Sequence, residues 1–249
     1  MNDLVTNRIS SYLPDEKKIC SCELEYGLKI KNKFVPCDVV GGDLWGVTPI
    51  SNNAVAIYLF DFLGHGESVG KDAAFLYSIM TDLFMPDLDP GKFMTELNRR
   101  FCNSPGFERY ATMFLGIYNK ERKILNFSSA AHQPFYHLSL DSDIPVNIIE
   151  PSLILGAKDG AQYKTRKIQI KNNELLLTYS DALPEARIQK NGELFDGKLQ
   201  EIICDEHNDM KAEGQLSACK LYNKVLDKFD DYCESKTDDD LTFLVFQTI

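Results

Sequence analysis

Four aspartates, each at the end of an apolar, strand-like run or beside the start of one, constrain this 249-residue chain more than any other feature. They are Asp43 in Val40-Gly41-Gly42-Asp43, Asp61 in Asp61-Phe62-Leu63-Gly64-His65-Gly66, Asp181 in Tyr179-Ser180-Asp181-Ala182, and Asp239 in Asp238-Asp239-Asp240-Leu241-Thr242. Carboxylates delivered by strand ends from distant parts of a chain are how a fold assembles a hard-cation site. Each alone has a plain reading: Asp43 and Asp181 suit ordinary turns, and Asp239 sits in an acidic run of the kind that usually forms a solvated face. The ordered set points to a metal site.

The runs between these motifs predict an α+β fold. A short amphipathic helix over 1–13 ends at Pro14. Strands follow at 23–30, 39–45 and 55–60, with a hairpin turn at Asn52-Asn53. Ser68 opens a helix to about residue 84, and Asp89-Pro90 starts another with proline in its first turn. Hairpins are expected over 110–118 with 123–129 and over 162–170 with 174–179. A long helix over 213–233 and a buried strand over 241–246 complete the chain. Strands dominate both halves with helices inserted between them. This favours two packed, mainly antiparallel β-sheets flanked by helices, an αββα sandwich, over a doubly wound parallel sheet. The expected division is a linker or regulatory helix at 1–13 and one domain over 14–249.

Composition narrows the function. A net charge of −10 with no basic stripe argues against nucleic acid. The longest apolar run, 54–63, is half of the roughly 20 residues a membrane helix needs, and Asp61 interrupts it. No secretory leader is evident, so the chain reads as soluble and cytoplasmic, with no membrane partner. Seven scattered cysteines without a Cys-x-x-Cys read as free structural thiols.

All-oxygen ligation without paired His or Cys selects magnesium or manganese over zinc or copper. Two such ions sharing a carboxylate polarise a phosphoryl oxygen and lower the pKa of a bridging water, which suits phosphate-monoester hydrolysis. Asp61 is the natural bridging ligand, the Phe62 carbonyl adds an oxygen, and the glycines at 64 and 66 let the turn pass close by. Asp61 and Asp43 are the expected catalytic pair, and no organic cofactor is expected. Thr242 either orders Asp239 or is a plain strand residue. Trp45 is core, with a place on a substrate rim open. His65 and His132 read as structural, and Arg187 as a surface residue.

The motifs resemble the SpoIIE/RsbU branch of the metal-dependent protein phosphatase (PPM, type 2C) superfamily. The resemblance begins at Tyr12-Leu13-Pro14 and takes in the two motifs of Asp43 and Asp61. It continues through Ala111-Thr112-Met113-Phe114-Leu115-Gly116, Ala130-Ala131-His132-Gln133-Pro134 and Leu155-Gly156. It ends with Leu175 to Asp181, Glu185-Ala186-Arg187, Gly192-Glu193-Leu194-Phe195 and Asp239-Asp240-Leu241-Thr242. It implies two packed sheets flanked by helices. It also implies a bacterial signalling serine/threonine phosphatase with two Mn2+ or Mg2+ ions, acting on a phosphorylated anti-anti-sigma (STAS) protein in stress-response circuits. Its metal aspartates map onto Asp43, Asp61, Asp181 and Asp239. Relatives often carry sensor or receiver domains ahead of this segment, so an upstream sensor or receiver domain and a homodimer are both possible, and the sequence leaves open whether the chain is a fragment of a longer regulator. The departures are Gly46 for an aspartate, Ala182 for a glycine and Ala131 for a glycine. The first two support an alternative, a pseudophosphatase acting as a binding module. A small-phosphoester hydrolase is a second alternative.

Overall fold

Ten strands divide equally between two antiparallel sheets, one in each of two compact units, among the described residues 13–37, 41–64, 67–104, 109–233 and 237–249 of this computed structural model. In chain order the elements are α1 (Glu16–Tyr26), β1 (Leu28–Val35), β2 (Leu44–Ser51), β3 (Ala54–Phe62), α2 (Glu67–Thr81), α3 (Pro90–Cys102), β4 (Ala111–Asn119) and β5 (Ile124–Ala130). Then come β6 (Phe135–Leu138), β7 (Val146–Ile148), β8 (Arg166–Gln169), β9 (Leu175–Tyr179), α4 (Ala182–Glu185), α5 (Asp196–Glu213), α6 (Ala218–Cys233) and β10 (Leu241–Thr248). No described helix is long and apolar enough to cross a membrane.

The first unit carries the sheet β2-β3-β4-β5-β8. Alternation along the strands turns Leu44, Tyr58, Phe60, Phe62, Met113 and Leu115 to one face. There they meet Val69, Ala73, Leu76 and Met80 of α2 and Phe93, Met94, Leu97 and Phe101 of α3. Every residue of β3 is buried. Helix α3 starts as expected, with Asp89 as N-cap accepting from Lys92 N at 2.9 Å and proline in the first turn. Pro49 is accommodated because β2 is an edge strand with a register shift at that point.

The second unit carries the sheet β1-β10-β9-β6-β7, with α4, α5 and α6 on one face. Phe243, Val245, Leu175, Leu177 and Tyr179 pack against Leu199, Ile203, Leu221, Val225 and Phe229. Gly214, at φ +74, ends α5 in the left-handed conformation that favours glycine.

Four elements depart from the sequence reading. Of the strand expected over 23–30, residues 23–26 end α1 and only 28–30 enter β1, because Asp15 caps a turn after Pro14, accepting from Lys18 N at 2.8 Å, and Cys22 and Tyr26 recur on one buried face. The strand expected over 39–45 begins at Leu44 instead. The hairpin expected between 162–170 and 174–179 does not form: β8 pairs with β5 and β9 with β10 and β6, so residues 171–173 link different sheets. The helix expected over 213–233 is the end of α5 and then α6, interrupted at Gly214. The helix expected over 1–13 lies, apart from Leu13, outside the described residues. So do Val40, His65 and Gly66 of the aspartate motifs.

Ala131 is exposed and has φ +50, a left-handed conformation that costs an L-residue with a Cβ. The glycine that the family resemblance implies at this point would take that conformation without the cost. Ala131→Gly is expected to raise stability by about 0.5–1 kcal/mol, the steric relief less the glycine's extra unfolded-state entropy. Urea unfolding midpoints at constant slope check it.

Candidate metal centre

In the first unit the β2–β3 register sets the position of two candidate ligands. Leu44 pairs with Phe60 and Trp45 with Leu59. Asp43 immediately precedes the first pair and Asp61 immediately follows it, so both fall on the face carrying Trp45 and Leu59, away from α2 and α3. Both are buried, at 1% and 7% exposure. Like charges facing one another across neighbouring strands repel, and a divalent cation would offset that repulsion.

Local packing fixes the Gly41-Gly42-Asp43 segment. A Cβ on Gly42 would lie 2.8 Å from Val69 Cγ1, 3.2 Å from the Gly64 carbonyl and 3.3 Å from Phe62 Cβ. Only a glycine lets the segment approach the start of α2 and the turn after Asp61 this closely. Gly64 supplies φ +94 in that turn. Leu63 N donates to Tyr110 O at 3.1 Å. The alternation of an antiparallel ladder then points the main-chain groups of Phe62 away from β4, leaving its carbonyl unused by that strand. Its ring is core, edge-on to Phe101.

In the second unit Asp181 follows β9 and Asp239 precedes β10. Ser180 joins the two segments: its N–H donates to Thr242 O at 3.0 Å, its hydroxyl donates to Asp240 O at 3.0 Å, and the hydroxyl accepts from Thr242 N at 2.9 Å. Asp239 Oδ1 accepts from Asp240 N at 2.8 Å, which orients its carboxylate. Burial, with the Glu185 and Asp239 carboxylates nearby, pushes the Asp181 carboxyl up to about 6. The aspartates thus occur as two pairs. The described residues contain no group of three or more His, Cys, Asp and Glu side chains arranged to hold a metal ion.

Several other readings are now decided. Gly46 lies on the opposite face from Asp43, where a Cβ would be 2.3 Å from the Tyr58 hydroxyl. A carboxylate at this position in this fold would collide with the core. Ala182 is the first residue of α4, with its methyl buried among Leu183, Phe195 and their neighbours, a place alanine takes without strain. Trp45 is 1% exposed and belongs to the interior, so it forms no substrate rim. His137 pairs with Glu174 at 2.8 Å, buried His207 bonds the Ser139 carbonyl at 3.0 Å, and exposed Arg187 donates to Gly192 O at 3.1 Å. A groove of about 390 Å³ in the first unit, lined by Ile50, Asp89, Ile117, Arg122 and Lys167, contains none of the four aspartates.

Residue-type reasoning missed Ser180, Glu185 and Thr112. Nothing in the sequence beyond their motifs marks Ser180 or Glu185. Thr112 pairs directly with Asp61 across β3 and β4, on the same face, which only the register reveals.

Comparison with known proteins follows from this geometry. The fold is that of the PP2C phosphatase domains: the SiaA-PP2C domain of Pseudomonas aeruginosa superposes with a TM-score of 0.80 at 16% identity, over 100% of this chain and 95% of that one. Residues 51–249 match the family model for Stage II sporulation protein E (SpoIIE), and the chain belongs to that family. It is 24% identical over 223 residues to the phosphoserine phosphatase RsbU of Bacillus subtilis (strain 168), covering 90% of this chain and 64% of RsbU. The chain therefore spans somewhat less than two thirds of that relative. RsbX, in a crystal structure in complex with magnesium, shares the fold at a TM-score of 0.62 and 16% identity, over 89% of this chain and 96% of RsbX.

The raised Asp181 carboxyl gives a signature in metal-free protein. The folded state binds that proton more tightly than the unfolded chain does. The associated stability is fully present below pH 3.8 and lost as pH rises through about 6. In EDTA, Asp181→Asn is expected to melt above wild type at pH about 8, with the gap closing towards pH about 4. Thermal melts of both proteins across that range check it.

Proposed function

We propose that this chain is a metal-dependent protein serine/threonine phosphatase that hydrolyses phosphoserine or phosphothreonine on a partner protein. The observation that carries this reading is the placement of buried Asp43 and Asp61 next to the Leu44–Phe60 pair, on one sheet face. The second pair, Asp181 and Asp239, supports it. Both pairs are carboxylates held close at a cost that divalent cations would offset.

The donor set is oxygen throughout, which fits Mg2+ or Mn2+. Asp43, Asp61, Asp181 and Asp239 would hold two such ions, with the Phe62 carbonyl as a further ligand. When bound, the ions supply polarisation of the phosphoryl group and a water of lowered pKa. The chain's own contribution is placement. Rigid β3 holds Asp61, the Gly42 contact holds Asp43, and Ser180 holds Asp181 and Asp239 in mutual register. Fixing reacting groups in this way converts binding into rate.

The substrate we propose is a phosphorylated STAS-type protein in bacterial partner-switching signalling, in keeping with the similarity to RsbU, itself named a phosphoserine phosphatase. Gly46 and Ala182 give no support to a pseudophosphatase, since one faces the core and the other sits unstrained in a helix.

Phosphate release from a phosphorylated STAS-domain protein tests the reading. It is expected with manganese, abolished by EDTA, and much faster than release from p-nitrophenyl phosphate at equal concentration. Comparable rates on both would instead favour a small-phosphoester hydrolase. Asp61→Asn is expected to lower kcat by at least about 10³-fold, because an amide supplies one neutral oxygen in place of a carboxylate's two oxygens with their shared negative charge. The same variant should melt no lower than wild type in EDTA, since it removes one of two facing negative charges. Near-normal manganese-dependent turnover in the folded variant would refute the assignment.

A further inference from the structure

The Asp43 and Asp61 segments meet at the first turns of α2, and beside the core packing of Val69 and Ala73 one side chain ties those turns to the segment ahead of β4. Arg109, two residues ahead of β4, donates from Nη2 to Ser68 Oγ at 2.9 Å and forms an ion pair through Nε with Asp72. Ser68 and Asp72 are one helical turn apart on the same face of α2. Between them in sequence lies Val69, 2% exposed, the residue against which Gly42 is packed. The planar fork of a guanidinium can hold two acceptors at once at fixed spacing, which an ammonium cannot.

The backbone of Arg109 is itself held firmly. A Cβ on Gly156 would lie 2.4 Å from the Arg109 carbonyl, so Gly156, at φ +88, is pressed against that peptide. Gly156 N donates to Asn98 Oδ1 at 2.9 Å, and Asn98 Nδ2 donates to Lys158 O at 2.9 Å; Asn98 is fully buried. Next to it, Leu155 and Ala111 exchange main-chain hydrogen bonds at 3.0 and 3.3 Å. A continuous chain of contacts therefore runs from Asn98 of α3 through Leu155-Gly156 to Arg109, and on through Ser68 and Asp72 to Val69, Gly42 and Asp43. It gives the Leu155-Gly156 motif a physical role: only a glycine allows this approach to Arg109.

We infer that Arg109 is a positioning residue for the metal centre, clamping the start of α2 so that the Gly42–Asp43 and Asp61–Gly64 segments keep the spacing that binds cations. This rests on the proposed function. Arg109 touches neither aspartate; it acts through Val69. An ion pair of pure stability value would leave cation affinity alone, whereas a clamp sets it.

The test is manganese binding to metal-stripped full chain by isothermal titration calorimetry, alongside the manganese dependence of turnover. Loss of a group that supports a ligand shell typically weakens metal binding by about tenfold or more, and that is the expected shift for Arg109→Ala. At saturating manganese, kcat should stay within about twofold of wild type, because the ligands themselves are intact. Asp72→Asn breaks the bridge from the other side and should give a shift of similar size, with no further loss in the double variant. Arg109→Lys should recover only part of the affinity. Unchanged manganese affinity in folded Arg109→Ala and Asp72→Asn, with only the melting temperature lowered, would overturn the clamp and leave the proposed function standing. Absence of manganese binding by the wild type would overturn both.

Discussion

The end of the β2–β3 ladder is the constraint on which the rest of the candidate site depends. Once Leu44 pairs with Phe60, the alternation of a pleated sheet leaves Asp43 and Asp61 on one face. The three contacts of Gly42, with Phe62, Gly64 and Val69, prevent that arrangement from splaying. Like charges held on one sheet face repel, and a divalent cation would offset that repulsion. The second unit repeats the logic by other means: Ser180, with three hydrogen bonds into residues 240–242, brings Asp181 and Asp239 close enough for each to disfavour the other's ionisation.

Much of this was legible in the sequence because the relevant signals are local. The glycines around Asp43 and Asp61 announce close backbone approach, Asp89-Pro90 announces a helix start, and the apolar run before Asp61 announces a buried strand. What was not legible depends on partners distant in sequence. Residues 23–26 read as strand only if the cap at Asp15 is overlooked, since Cys22 and Tyr26 satisfy a helical face equally well, whereas 28–30 do enter β1. Residues 162–179 look like a hairpin, yet β8 finds β5 and β9 finds β10, because strand pairing is decided by the sheet and not by the intervening turn. The 213–233 reading ran through Gly214 and missed α5, whose apolar residues Leu199, Ile202, Ile203 and Met210 are diluted by charged neighbours. Thr112 and Ser180 have no chemistry of their own that marks them; register and hydrogen bonding do.

The departures from related sequences become intelligible once side-chain direction is known. Residue 46 points to the helix side of its sheet, and glycine there makes room for Tyr58. Residue 182 opens a right-handed helix, where the extra methyl adds to a core cluster. Residue 131 alone bears a conformational cost, and it lies on the exposed side of the chain. None of the three removes one of the four aspartates. The chain can therefore belong to the SpoIIE family, differ at these positions, and keep the carboxylate pairs on which the proposed chemistry relies.

Manganese titration of metal-stripped protein followed by electron paramagnetic resonance tests the central claim most directly, because free Mn2+ gives a sharp signal that binding removes and no substrate need be known. The account predicts that the wild type takes up two ions per chain, that Asp61→Asn takes up fewer with weaker affinity, and that excess magnesium displaces the bound manganese. Uptake by Asp61→Asn equal to that of the wild type, or no uptake by either at millimolar metal, would contradict it.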